Sequence, residues 1–575
     1  MLAPALNYGM TKWNIKNDKS EKNVPGYSLV ILNLLSNRGI RTEKEIKSFF
    51  SSGYDDLPDP FLISDMEKAV TRILSAREKK EKVAIFGDYD ADGVTATAVI
   101  FETLSQLGFE DVAYYIPDRQ IEGYGMNEEA VKYLGGEGVS LIITVDCGIT
   151  SFKEIERARG LGIDVIITDH HHVLDAVPEA LAVINPNVSE SGFEFKDLAG
   201  VGVAFKLAQA LFQRMDPGKS DQLKWVLDLV AIGTIADCVT LLGENRILAK
   251  YGLIVLSKTR RVGLQEMFKV GRIDISENNP PDAHKVAFQI SPRINAAGRM
   301  DHASVSYKLI IEKNRAIARN MALEVESKNQ ERQKVTAEIV REVEAIATNS
   351  FRNKKLIFAE SPHWQVGILG LVAGKIADEF KKPTIILQRQ ENEFVGSLRS
   401  IPEVDIMKIL EKCSDLILRF GGHAQAAGVT VDKINIEKLY ERMSELVEKE
   451  LDGKEVCPTV DIDMEIRSVE LDWELMNEIK KMEPFGMGNP EPVFLMKDVE
   501  VVEAKVCGNG SKHWKLSLRN GSSPKIFDSI GFSMGEKFPD IKKGDKLDIV
   551  FNLQEDSWNG NKKLQLRLID LKKND

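Results

Sequence analysis

The chain has 575 residues, 43% of them hydrophobic, and a formal net charge of -11. That length exceeds one hydrophobic core and implies about three to five domains. The acidic balance excludes nucleic-acid binding by bulk attraction, so any such binding rests on local basic patches.

Residues 1–80 read as a helical, mixed segment with GYSLVILNLLSNRGI followed by TEKEIKSFF, where Thr42 and Glu45 form a capping-box pattern. From Lys82 the texture changes to strand and helix in alternation. KVAIFG (82–87), DVAYYIPD (111–118), SLIITV (140–145), IDVIIT (163–168) and LAVI (181–184) are β-rich, and helical stretches such as 94–108 and 151–162 separate them. Alternation of this kind predicts a parallel sheet. Residues 200–270 read as mostly helical, and 314–349 as one long charged connecting helix of roughly 50 Å. A second α/β unit follows, with strands in KKLIFAE, PTIILQ and FVGSLR. From about residue 457 onward come some five strand-like runs with many turns, including a hairpin signal at Asn559-Gly560. These suggest an OB-like barrel, a fold often used for single strands.

The five cysteines (Cys147, Cys238, Cys413, Cys457, Cys507) are scattered with no CxxC pair, which points to a reducing cytoplasm rather than a disulfide framework. Cys147 and Cys238 read as small buried fillers. No run reaches the roughly 20 apolar residues of a membrane span, and the first residues lack a secretory pattern.

Four segments end in acidic or imidazole side chains: GDYDADG (87–93), TVDCG (144–148), TDHHH (168–172) and IADCV (235–239). Each follows an apolar run that reads as a buried strand; ligands gather beyond the carboxyl ends of parallel strands, and the acidic and histidine residues sit at that end in each case. Asp88, Asp90 and Asp92 alternate, and in extended chain they would point the same way. Clustered carboxylates repel one another unless a cation neutralises them; the alternative is an acidic loop capping a helix. Asp146 and Asp169 have the same capping alternative. In Asp169-His170-His171 the imidazoles are metal-ligand types, and the carboxylate is placed to orient one of them. His172 reads as a loop histidine. Asp237 lies in an apolar run and needs a partner, for which a metal is suitable. Mixed Asp/His ligands suit Mn2+ or Mg2+, and a pair of such ions suits in-line phosphoester hydrolysis.

The motifs GDYDADGVTAT, YIPDR…EGYG, TVDCGI, TDHH, GTIADCVTL, PRINAAGRM, GSLRS, FGGHAQAAG and EPFGMGNPEPVF resemble, in order, those of the DHH phosphoesterase family and, within it, the RecJ exonucleases. The resemblance covers about 80% of the chain and implies an α/β protein in four parts. These are a parallel-sheet DHH domain (81–250), a helical region with the connecting helix (251–350), an α/β DHHA1 domain (351–453) and an OB-like nucleic-acid-binding domain (454–575), preceded by the 1–80 segment. It implies metal ligation by the aspartates of GDYDADG, by Asp146, His170 and Asp237, with His171 near the scissile phosphate; Asp90 and Asp92 are the preferred pair, and Asp88 stays in the set. The activity implied is 5′-to-3′ hydrolysis of single-stranded DNA to 5′-mononucleotides in repair and recombination. A monomer is the simplest reading of a sequence that leaves oligomeric state open, and single-strand-binding protein or a helicase are candidate partners.

Further strand contacts are expected from Arg293, Asn295 and Arg299, from Arg399 and Ser400, and from His423 in a glycine-rich turn. In the barrel, Trp514 is expected to stack a base beside Lys515, with a core tryptophan as the alternative. One departure stands out: family members carry Trp-His before the Gly-Val-Ile-Gly run, whereas here Gln365 holds the histidine position and His363 precedes Trp364. Two other readings remain. One is a DHH phosphodiesterase for very short oligonucleotides or cyclic dinucleotides; the other is a non-enzymatic single-strand binder.

Overall fold

A computed structural model describes residues 11–16, 24–173, 176–189, 191–454, 456–508, 512–521, 524–556 and 562–574. The Asn559-Gly560 turn lies outside the described residues. The chain forms two compact units. One comprises Pro58–Val239 and Leu248–Cys457; the other comprises Met1–Leu57, Thr240–Ile247 and Pro458–Asp575.

The first unit holds the expected parallel sheet. Its strand order is Val112–Tyr115, Lys82–Gly87, Val139–Val145, Asp164–Thr168 and Ala182–Ile184, and every pairing is parallel. The central strands are apolar on both faces because helices cover both; all but the first residue of Lys82–Gly87 are buried. The helix Ala91–Gln106 packs against Gly200–Met215 and Leu227–Ala236. Arg261, largely covered, ties this group together: its guanidinium binds Asp228 of Leu227–Ala236 at 3.0 Å and Glu102 of Ala91–Gln106.

The connecting helix runs Arg315–Ser350, 36 residues, close to its predicted bounds. Beyond it lies a five-stranded mixed sheet in the order Arg419–His423, Ala426–Asp432, Glu393–Arg399, Thr384–Arg389, Ile357–Ser361. The glycine-rich turn read between Gly422 and Ala427 is a hairpin turn at Ala424 and Gln425. It is shorter than expected, because Gly421, Gly422, Ala426 and Ala427 lie in the antiparallel ladder on either side and His423 ends the first strand. Small residues do not announce a strand by propensity, and Gly422 is needed because a Cβ would overlap the Ala426 carbonyl at its φ of +147°.

In the second unit the Thr42 capping box is present at the start of Glu43–Ser51. Strands Phe494–Cys507, His513–Asn520, Ile526–Gly531, Lys563–Lys573 and Lys546–Asp556 pair in that order, and the last pairs back to the first, closing a five-stranded barrel. Inward-facing Trp514, Leu516, Leu518, Phe527 and Leu566 fill it.

Candidate metal centre and strand cleft

Register explains why the acidic residues meet. Gly87 is opposite Val145, and Val145 is opposite Thr168. The three strands therefore end level, and the next residues, Asp88, Asp146 and Asp169, emerge side by side about 4.8 Å apart from strand to strand. Asp146 adopts φ +60°, a left-handed conformation rare outside glycine. Such strain clusters at functional sites.

Asp90 and Asp92 do not continue an extended run, contrary to the alternation argument. Asp90 caps the helix Ala91–Gln106, its carboxylate accepting from Asp92 and Gly93 N–H at 2.9 and 3.1 Å. Asp92 lies in the first turn, and its carboxylate accepts from Gly200 and Val201 N–H at 2.6 and 2.9 Å. Asp237 corrects the strand-end reading: the apolar run before it is the helix Leu227–Ala236, so it reaches the site from a helix C-terminus rather than from a strand of the sheet. The result is three groups whose ligand atoms lie within 4.8 Å of one another: Asp88, Asp90 and Asp146; Asp92, His170 and Asp237; and Asp146, His170 and His171.

Two observations test whether these residues suit cations. Asp88 Oδ1 and His170 Nε2 are buried with no hydrogen-bond partner, and buried polar atoms are otherwise nearly always satisfied. His170 Nε2 points between Asp146 (3.2 Å) and Asp237 (3.6 Å). The electrostatics agree. Burial, then mutual repulsion, holds Asp88, Asp92 and Asp146 well above the usual carboxylate range. Burial and Asp90 push Asp237 up to about 7. Burial and the neighbouring His171 hold His170 down to about 4, so it is a neutral imidazole with a free lone pair. Carboxylates crowded to mutual cost around a neutral imidazole fit divalent cations.

Asp169 has a different place. Fully buried, it accepts from the N–H groups of Ile149, His170 and His171, and its Oδ1 lies 2.7 Å from His171 Nδ1. Burial alone would lower the His171 pKa; the bond and charge of Asp169 outweigh it and raise it. The Tyr124 hydroxyl, 3.1 Å from the same nitrogen, donates to the Asp146 carbonyl. His172 is exposed, as a loop histidine should be. Of the two cysteines expected as fillers, Cys147 is buried; Cys238 is exposed, because a φ of +60° turns the chain outward after Asp237.

The further strand contacts divide. Arg299 is pressed by burial, then by Arg119 and Arg332, down to about 9, while Asp90 opposes the shift and Arg399 adds to it. Arg399 is lowered by burial and Arg119. Arg119, Arg299, Arg332 and Arg399 are thus arginines gathered against one another, and Arg332 Nε is buried without a partner. Asn295 accepts from Ala91 N–H at 2.7 Å and so holds the aspartate loop. Ser400 spends its hydroxyl on the Val404 carbonyl, 2.7 Å away. Gln365 and His423 are exposed, the first at the start of Val366–Phe380 and the second at the end of a strand.

Two expectations fail. Arg293 is occupied by Glu326 at 2.6 Å and by the carbonyls of Gln289 and Gly271, leaving no fork for a phosphate. Trp514 is buried in the barrel core and donates its indole N–H to the Phe538 carbonyl, because inward positions alternate along its strand. Lys515, the next residue, is exposed. The sequence reading missed Arg119 and Tyr124, both inside the quoted YIPDR…EGYG motif, and the close-packed Gly200 and Gly233.

Fold and site together define an α/β protein of the DHH class. The family model for the DHH family, N-terminal domain, matches residues 82–234, that for the DHHA1 domain 353–449, and that for the RecJ OB domain 462–570. The single-stranded-DNA-specific exonuclease RecJ of Bacillus subtilis is 38% identical over 543 residues, 94% of this chain and 67% of its own length. The protein of that name from Haemophilus influenzae is 33% identical over 93% of this chain and 94% of its own. The crystal structure of RecJ in complex with Mn2+ from Thermus thermophilus superposes with a TM-score of 0.82 at 26% identity, covering 98% of this chain and 80% of the other. The chain belongs to the RecJ family.

Proposed function

We propose that this chain is a metal-dependent exonuclease that degrades single-stranded DNA from the 5′ end to 5′-mononucleotides, in DNA repair and recombination. The observation that carries the reading is the joining, in one unit, of crowded Asp/His groups with arginines that press on one another, Arg299 beside Asp90 and Arg119 beside Asp88. Carboxylates seek cations and mutually repelling arginines seek anions; a phosphodiester with divalent ions satisfies both.

Asp90, Asp92, Asp146, His170 and Asp237 hold two divalent ions, Mn2+ or Mg2+, with Asp88 beside Asp90 and Asp146. Such ions supply activation of a water nucleophile and offset charge on the phosphoryl oxygens. Asp169 orients His171 through the 2.7 Å contact and favours its protonated form, which places it to donate to the scissile phosphate. Arg119, Arg299 and Arg399 grip the strand's phosphates, and Gln365 and His423 line the DHHA1 side. Asn295 positions the aspartate loop, and Ser400 positions the turn after Arg399.

The work divides along the sequence-derived domains, with hydrolysis in 81–250, grip in 351–453 and strand holding in 454–575. All ligand candidates come from one chain, which supports a monomer. The free cysteines are in keeping with the cytoplasm, where a helicase or single-strand-binding protein would present the strand. Among the described residues no helix is long and apolar enough to cross a membrane. The test is a side-by-side rate comparison on a long single strand and a dinucleotide with Mn2+. Preference for the long strand is expected; preference for the dinucleotide would overturn the reading.

A further inference from the structure

The loop between Val112–Tyr115 and Glu128–Gly136 touches the site at three points. Arg119 lays its guanidinium over the Tyr89 ring, 4.8 Å from the centroid, within the aspartate loop. Gln120 Nε2 donates to the Arg299 carbonyl at 3.3 Å. The Tyr124 hydroxyl reaches the Asp146 carbonyl and His171 Nδ1, each 3.1 Å away. Residues 119–124 therefore span from the arginine group to the imidazole that Asp169 orients.

The span is held from within. Asp118 Oδ1 takes the N–H groups of Gln120 and Ile121 at 2.7 and 3.0 Å. The Asp118 carbonyl takes those of Glu122 and Gly123 at 2.8 and 3.2 Å. The Glu122 carboxylate turns inward, accepting from Asp118 N–H and the Tyr115 hydroxyl at 2.6 Å and from Asn127 Nδ2 at 2.9 Å. Gly123, at φ +83°, reverses the chain and adds no side chain. What this leaves outside is Ile121, 85% exposed, more than any other large hydrophobic side chain among the described residues.

A single exposed isoleucine is ordinary on a surface. This one differs in its backbone and its neighbours. Its N–H is tied down, its β-branched side chain is stiff at χ1, and it stands two residues from Arg119 and three from Tyr124. An ordered apolar surface thus lies between groups that attract phosphate and the imidazole of the site. A nucleotide with its phosphate on the arginines has one large apolar part left to place, the face of its base.

We infer that Ile121 is a specificity-determining residue: it packs against the base of a nucleotide whose phosphate the arginines hold, so that the site distinguishes a nucleotide that bears a base from one that has lost it. The inference rests on the proposed single-strand reading and adds a contact that neither carboxylates nor arginines supply. Packing of an aliphatic side chain on a base face needs no matched donors or acceptors, so it registers the presence of a base and not its identity.

The test compares kcat/KM with Mn2+ for the full chain on two single strands of thymidylate, one intact and one with tetrahydrofuran abasic residues in place of the last two nucleotides at each end. Covering roughly 40 Å² of apolar surface corresponds to about a fivefold effect, so the unaltered chain should be about fivefold slower on the abasic strand. Ile121→Ser should lose about the same factor on the intact strand and nothing further on the abasic one. Ile121→Leu should keep the preference for the intact strand. The melting temperature of Ile121→Ser should match that of the unaltered chain, because the side chain is exposed. A preference that survives in Ile121→Ser, or that is absent from the unaltered chain, would overturn the inference. If the unaltered chain digests neither strand, the single-strand reading itself falls and the inference falls with it.

Discussion

His171 Nδ1 lies 2.7 Å from Oδ1 of Asp169, a carboxylate with no exposure to solvent. That carboxylate also takes three backbone N–H groups, which hold it in place, and His171 keeps its pKa below the usual carboxylate range despite burial; its charge and hydrogen bond in turn raise the pKa of the imidazole it faces. Asp169 is in none of the candidate ligand groups, whereas His171 is in one of them, with Asp146 and His170.

Asp169→Asn keeps an acceptor for the Ile149 N–H but removes the charge. The turnover rate on single-stranded DNA should fall by about 10²-fold or more, while Mn2+ binding measured by calorimetry stays within a few-fold. Equal loss of both would place Asp169 among the metal-holding residues instead.

The crowded carboxylates make stability depend on pH and metal together. A carboxyl whose folded pKa is raised contributes stability below its unfolded value, near ~4, and loses it as pH climbs through the folded value, about 7 for Asp237. Metal-free protein should therefore weaken over that window, and a cation that binds the charged form should restore it. The gain in melting temperature from Mn2+ is expected to be larger at about pH 8 than at about pH 5. An equal gain at both would contradict the assignment.

Gly233 lets two helices meet at the site. A Cβ there would stand 2.6 Å from Asp92 Oδ1 and 2.7 Å from a Val201 methyl. Gly233→Ala should cost ~1–3 kcal/mol in denaturant unfolding and weaken Mn2+ binding. Wild-type metal affinity in a folded variant would show that Asp92 is not a ligand.

Removing one arginine relieves its neighbours but leaves a phosphate uncovered. Arg399→Gln should raise the KM for a single strand about tenfold, a loss of ~1.5 kcal/mol in the range of a charged hydrogen bond, and lower the salt slope by about 0.7. A change confined to the turnover rate would move Arg399 from grip to chemistry.

The parallel sheet was legible because five apolar runs alternate with amphipathic helices, and a sheet covered on both faces writes that pattern plainly. The strand-end aspartates were legible for the same reason. Asp90 and Asp92 were found as residues but not in their geometry: a period of two predicts extended chain, and helix capping by Asp90 outweighed it. Arg119 carries no local signal that separates it from other surface arginines; only the fold sets it against Arg299 and Arg399. Arg293 shows the converse, since its partner Glu326 is 33 residues away on the connecting helix. Trp514 went wrong through composition: lysine and histidine neighbours suggested a surface, while alternation along the strand buries every second residue.

The most direct test of the account is digestion of single-stranded DNA labelled at the 5′ or the 3′ end, with Mn2+ and with EDTA. With Mn2+ the 5′ label should appear at once as mononucleotide while the 3′-labelled strand shortens progressively, and EDTA should stop both. Release of the 3′ label first, or undiminished digestion in EDTA, would contradict it.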